Sequence, residues 1–102
     1  GYHYVVDRAG RVWQARPVSY QGAHVRDQNE HNIGVMCLGN FNKQHPSDAQ
    51  LEGLARITTH LRHKYRVPIR KIHTHQELAP TSCPGKLLQP RIAAMRSNGA
   101  FA

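Results

Sequence analysis

The sequence predicts an α/β fold, with a single mixed β-sheet flanked by α-helices, over residues 1–102 as one domain. Three observations carry this expectation. Short β-branched and aromatic runs near the amino terminus have strand character. A long central segment repeats apolar residues at helical spacing, and the two patterns interleave along the chain. The resulting order is strand, strand, loop, strand, helix, strand, loop, helix, which packs helices on one sheet. A chain of 102 residues has length for one modest core and not for two.

Tyr2 to Asp7 is aromatic and β-branched, and Arg11 to Arg16 alternates polar and apolar residues with period two. Asp7 to Gly10 between them supplies turn chemistry, so a β-hairpin is expected. Residues 17–32, rich in Pro, Gly, Asn, Asp and Gln, read as a long loop of the kind that carries function in small domains. Ile33 to Gly39 is nearly continuous in apolar residues, as in a central strand covered on both faces. Ser47 then reads as a helix N-cap with Gln50 as its capping-box partner. Leu51, Leu54, Ile57, Leu61 and Tyr65 follow at spacings of three and four, so a helix over about 48–65 buries one face and Pro68 stops it. Ile69 to His75 is expected to be another strand, with Ile69, Lys71, His73 and His75 on one side. Leu87, Leu88, Ile92 and Met95 mark a last short amphipathic helix interrupted by Pro90; proline fits a first helical turn, so the regular part is expected to start near Gln89.

Fourteen Lys and Arg against six Asp and Glu give a net charge of +8. Such a charge attracts anionic polymers: nucleic acid, anionic lipid surfaces or a carboxylate-rich cell wall. The cations are dispersed, which describes a folded domain with a positive field and not a basic tail. No basic helix, zinc finger or aromatic-plus-basic strand motif accompanies the charge, so a nucleic-acid partner is not expected. No apolar run is long enough to span a membrane. Cys37 sits in an apolar strand pattern and reads as a free buried thiol.

The most informative stretch runs from His73 to Gly85. Histidine at a strand end and cysteine on a proline-stiffened loop can meet around one metal ion, and imidazole and thiolate are donors that Zn²⁺ favours. A Cys-Pro-Gly turn is a poor core position, which favours a ligand role for Cys83. The spacing matches no zinc-finger pattern, so His73 and His75 are both open as the histidine.

Five segments in order resemble the zinc amidases that cut peptidoglycan, the phage-type N-acetylmuramoyl-L-alanine amidases and the animal peptidoglycan recognition proteins. They are Gly1 to Tyr4 with Asp7, Gly10, Arg11 and Val12; Gln21 to His24; Asn32 to Val35; Gly39 to Phe41; and His75 to Gly85. Together they span nearly the whole chain. The resemblance implies an amidase-like, peptidoglycan-recognition-like catalytic domain, and a zinc site of three protein ligands. His75, eight positions before Cys83, matches the second ligand and Cys83 the third. The first histidine belongs to a strand that would precede Gly1, so the domain is expected to be incomplete at its amino terminus. His73 is then expected to pack behind His75 or to orient it.

The resemblance also assigns Tyr2 and Thr81 to catalysis. Tyr2 matches a tyrosine that points its hydroxyl at the reacting centre, where it would stabilise the oxyanion. Thr81 stands where some members carry lysine and others threonine, and would hydrogen-bond the substrate carbonyl. His24 matches a groove histidine and is a candidate substrate contact. Asn29 and Asn32 are further candidates, although turn chemistry also accounts for them. Trp13 and Tyr20 are placed either in a groove or, for Trp13, in the core. The implied activity is zinc-dependent hydrolysis of the amide between N-acetylmuramic acid and L-alanine, with a muramyl peptide of peptidoglycan as partner. A secreted, periplasmic or wall-associated setting fits it. The competing expectation is a non-catalytic peptidoglycan-recognition module of the same fold.

Overall fold

The structure, a computed structural model, describes residues 2–18 and 32–102. Strand β1 (Tyr4–Val6) pairs antiparallel with β2 (Val12–Gln14), and parallel with β3 (Val35–Cys37). The sheet order is β2-β1-β3, so the mixed sheet has the hairpin at one side. The register sets Val5 opposite Trp13 and Met36, and Val6 opposite Val12 and Cys37. The middle position belongs to β1. The run expected as a central strand is an outer one among the described residues, and its three residues are half-buried.

Asp7 closes the hairpin. Its Oδ1 accepts from the Ala9 and Arg11 amides, and its Oδ2 from Arg11 Nε at 2.8 Å and Trp13 Nε1 at 2.9 Å. These bonds hold Trp13 on the surface at 55% exposure, out of the core. The Trp13 indole donor first, then the amide and guanidinium of Arg11, hold the Asp7 carboxyl down at about 2, against desolvation. The folded pKa lies below the ordinary 3.8, so the stability this carboxylate contributes is full above 3.8 and is lost as pH falls through about 2. Urea denaturation of Asp7→Asn is expected to show a deficit at neutral pH that shrinks steadily as the titration descends through that window.

Helix α1 (Asp48–Tyr65) starts where Ser47 Oγ accepts the Gln50 amide at 3.0 Å. A cap of this kind contributes about 1 kcal/mol. The same hydroxyl donates to the Arg8 carbonyl, fastening the helix start to the hairpin turn. The capping box is only half formed, because the Gln50 side chain turns inward. It is fully buried, and its Nε2 donates to the carbonyls of Val6 at 3.1 Å and Leu38 at 2.9 Å. One amide thus ties the ends of β1 and β3 to the helix. Closeness is secured by glycine: a Cβ on Gly53 would collide with the Gly10 carbonyl oxygen. Arg66 ends the helix in the left-handed region (φ 55, ψ 48), two residues ahead of Pro68.

Leu51 and Leu54 of α1 pack with Phe41, Leu88, Met95 and Phe101, while Ile57 and Leu61 pack with Val6. Val35 and Cys37 of β3 touch both groups and join them. Each of these aliphatic side chains contributes roughly 1.5–3 kcal/mol on burial. Burial pushes the Cys37 thiol up to about 11, so it stays protonated, as a structural thiol does. No described helix is long and apolar enough to cross a membrane.

The expected strand over 69–75 does not form. Ile69–Lys71 is a 3-10 turn entered from Pro68, with Lys71 and Ile72 amides bonded three residues back. Thr74 then precedes a four-residue helix α2 (His75–Leu78), so His75 opens a helix and does not end a strand. The backbone groups that a sheet ladder would have used are met by side chains. Arg96 Nη1 donates to the Ile72 carbonyl at 3.0 Å, and the Thr74 amide donates to Glu77 Oε1 at 3.0 Å. β-branched composition is a preference that such partners override. The last helix, α3 (Gln89–Ser97), begins where expected and carries Pro90 in its first turn.

Candidate functional site

The His73 to Gly85 stretch folds as a short closed loop. α2 presents His75, the chain leaves through Ala79 to Ser82, and the Gln76 amide donates back to the Cys83 carbonyl at 2.9 Å. Gln76 Nε2 reinforces the closure by donating to the Ser82 carbonyl at 3.1 Å. The eight-position spacing is therefore realised as proximity of the two backbones. Beyond Cys83, Gly85 takes φ +113 and lies against Phe41, where an added Cβ would stand 2.5 Å from the Phe41 carbonyl carbon. Only glycine fits there without displacing backbone, and this contact seats the loop on the core.

His75 and Cys83 both line a cleft of 630 Å³, together with Tyr2 and Asn32. Its floor is apolar, formed by residues such as Phe41 and Leu54. That volume and composition are those of a small-molecule or peptide site. Tyr2, 41% exposed, reaches the cleft from the start of β1. Next to it His3 is fixed, its Nδ1 accepting the Gly34 amide at 3.0 Å. Burial first, then the nearby Arg16 charge, lowers the His3 pKa, in keeping with an acceptor nitrogen.

The remaining sequence candidates fare differently. Thr81 is exposed and is not among the cleft-lining residues; its Oγ1 accepts the Cys83 amide at 3.2 Å. In this arrangement it braces the loop. His24, Asn29 and Tyr20 lie outside the described residues. His73 lines the cleft, and its Nδ1 is 3.9 Å from Glu77 Oε1.

Sequence reasoning missed Glu77. Its Oε1 accepts from Thr74 N at 3.0 Å and Arg96 Nη1 at 2.6 Å, and its Oε2 from Arg96 Nη2 at 2.7 Å and Gln89 Nε2 at 2.8 Å. The Arg96 bonds first, with Thr74 and Gln89 assisting, hold this carboxyl down at about 2 against desolvation. A signal existed: Thr74-x-x-Glu77 has the capping-box spacing.

As donors, an imidazole and a thiol on one cleft fit Zn²⁺ in kind. In number they supply two ligands. Among the described residues no group of three His, Cys, Asp or Glu is placed to hold a metal ion.

Fold and site together define a class: a small α/β domain whose cleft sets an imidazole and a thiol over an apolar floor. The family model described as N-acetylmuramoyl-L-alanine amidase matches residues 1–86, and the chain belongs to that family. It is 34% identical over 90 residues to an N-acetylmuramoyl-L-alanine amidase of Sus scrofa, covering 86% of this chain and 15% of that protein. The endolysin of Escherichia phage T7 is 30% identical over 89 residues, covering 82% of this chain and 58% of the endolysin. Peptidoglycan-recognition protein SD of Drosophila simulans is 29% identical over 89 residues, covering 86% of this chain and 48% of its own. In structure the chain is similar to the N-acetylmuramoyl-L-alanine amidase LysC from Clostridium intestinale, with a TM-score of 0.76 at 26% identity. That match covers 95% of this chain and 64% of LysC. The chain spans less than two-thirds of the length of each of these relatives.

Proposed function

We propose that this chain is part of a zinc-dependent N-acetylmuramoyl-L-alanine amidase, which hydrolyses the amide between N-acetylmuramic acid and the L-alanine of the stem peptide. The observation that carries this reading is the closed loop that brings His75 and Cys83 onto one cleft that Tyr2 also lines. His75 and Cys83 would hold the metal with a ligand from outside the described residues. When bound, zinc supplies Lewis acidity that polarises the scissile carbonyl and makes water nucleophilic near neutral pH.

The chain's own residues do the rest. The apolar floor excludes water from beneath the scissile bond and strengthens every polar contact above it. The Tyr2 hydroxyl donates to the oxygen that becomes negative as the carbonyl turns tetrahedral. Asn32, an exposed residue lining the cleft, offers amide contacts to the stem peptide. Thr81 keeps the Cys83 amide satisfied, so the thiolate is offered from a fixed loop. Between Glu52 and Glu77 there is no carboxylate, while Arg56, Arg62, Lys64, Arg66, Arg70 and Lys71 are all present. This uninterrupted positive stretch draws the domain to an anionic wall, and the attraction weakens with added salt.

The test is digestion of purified peptidoglycan by the full-length protein, with mass spectrometry of the soluble products. Stem peptides with a free L-alanine amino terminus are expected, and a chelator is expected to stop their release. Tyr2→Phe is expected to lower kcat by about 10²-fold with KM little changed, the cost of removing one oxyanion donor. An unchanged kcat would remove Tyr2 from the mechanism. A second reading, peptidoglycan recognition without cleavage, is favoured by the likeness to Peptidoglycan-recognition protein SD of Drosophila simulans, 29% identical over 89 residues. Wall binding with no peptide released would select it.

A further inference from the structure

Resting on the amidase reading, we infer that Glu77 and Arg96 are positioning residues: their ion pair holds the turn carrying His75 in the orientation that binds metal. On its other side the turn is held by the Gln76 bonds to Ser82 and Cys83, which close the loop but do not join it to α3. α2 has only four residues, too short to be stable alone, and none of them is buried. Yet its approach is stapled at three points. The Glu77 carboxylate takes both Arg96 Nη groups, at 2.6 and 2.7 Å, in a two-bond fork from α3. Arg96 Nη1 also holds the Ile72 carbonyl at 3.0 Å, three residues before His75. Glu77 in turn accepts the Thr74 amide immediately before His75, and Gln89 from the start of α3.

Ile72 O, Thr74 N and Glu77 bracket His75 on both sides, and all three converge on one guanidinium or its carboxylate partner. His73 Nδ1, 3.9 Å from Glu77 Oε1, adds a weaker contact on the same side. α3 itself is anchored through Met95, which is buried in the core with Leu88. Core packing is thereby transmitted through Arg96 and Glu77 to the exposed turn of α2. Bidentate guanidinium–carboxylate pairs fix direction as well as distance, which a lysine at position 96 would not do.

The test uses the full-length protein and measures Zn²⁺ affinity by competition with a chromophoric chelator, alongside the visible spectrum of the Co²⁺-substituted form. Glu77→Ala and Arg96→Lys are expected to weaken zinc binding about 10–100-fold and to change the Co²⁺ band positions. Glu77→Gln, which keeps the acceptor for Thr74 N, is expected to fall between them and the wild type. Ser47→Ala removes the cap of α1 and its bond to the Arg8 carbonyl, away from the cleft. It is expected to lower thermal stability while leaving zinc affinity within about twofold, separating positioning from general destabilisation. Wild-type affinity in Glu77→Gln and Arg96→Lys would overturn this inference alone. Absence of zinc binding by the wild type would overturn the amidase reading with it.

Discussion

Cys83→Ser in the full-length protein is expected to abolish release of L-alanine-initiated peptides, lowering kcat/KM on the order of 10³-fold or more. The size follows from losing carbonyl polarisation worth several kcal/mol, at about 1.4 kcal/mol per factor of ten. Serine preserves the shape of the loop: the bonds to the Thr81 hydroxyl and from the Gln76 amide use only the backbone of residue 83 and survive. Its hydroxyl stays protonated near neutral pH and does not replace a thiolate toward a borderline-soft cation. Association with the wall should persist, since the cations between Arg56 and Lys71 are untouched. Peptide release within about tenfold of the wild type would show that Cys83 is not a metal ligand.

The second large effect concerns stability. Gln50→Glu is expected to destabilise the fold more than Gln50→Leu, and Leu to cost about 1–3 kcal/mol. Gln50 Nε2 is the donor for two strand-end carbonyls, Val6 O and Leu38 O, and the side chain is fully buried. Val6 O keeps a second donor in the Leu38 amide at 2.9 Å, so the loss falls mainly on Leu38 O, and leaving that carbonyl without a donor costs about 1–3 kcal/mol. Leucine recovers part of this, because Gln50 Oε1 has no partner and its desolvation is relieved. Glutamate replaces the donor with a second acceptor facing the two carbonyls, and buries charge if it ionises. Urea denaturation near neutral pH reads the order. Equal midpoints for the two variants would mean that the amide donor contributes little.

These two residues also mark what was and was not legible. Cys83 stood out in sequence because a thiol in a Cys-Pro-Gly turn has no place in a core, and because it follows His75 at the family spacing. The hairpin, α1 and α3 were legible for a similar reason: each rests on local periodicity and local turn or capping chemistry. Gln50 was visible only as a partner for Ser47. Yet Gln50, Leu54, Ile57 and Leu61 fall at spacings of four, three and four, so it stands on the buried stripe of α1. A polar residue at that place demands distant partners, and these lie 44 and 12 positions away. The segment from Ile69 to His75 was misread as a strand because the groups that satisfy its backbone come from Glu77 and Arg96. Partners supplied from another element leave no periodic trace. The cleft floor was hidden likewise, since Phe41, Leu54 and Leu88 meet only through the packing of loop and helices.

The most direct test of the central claim is the zinc content of the purified full-length protein, measured by elemental analysis beside Cys83→Ser. One zinc per chain in the wild type, absent from the variant after dialysis, is the predicted result. A wild type without zinc that still binds peptidoglycan would contradict the amidase reading and leave a recognition module.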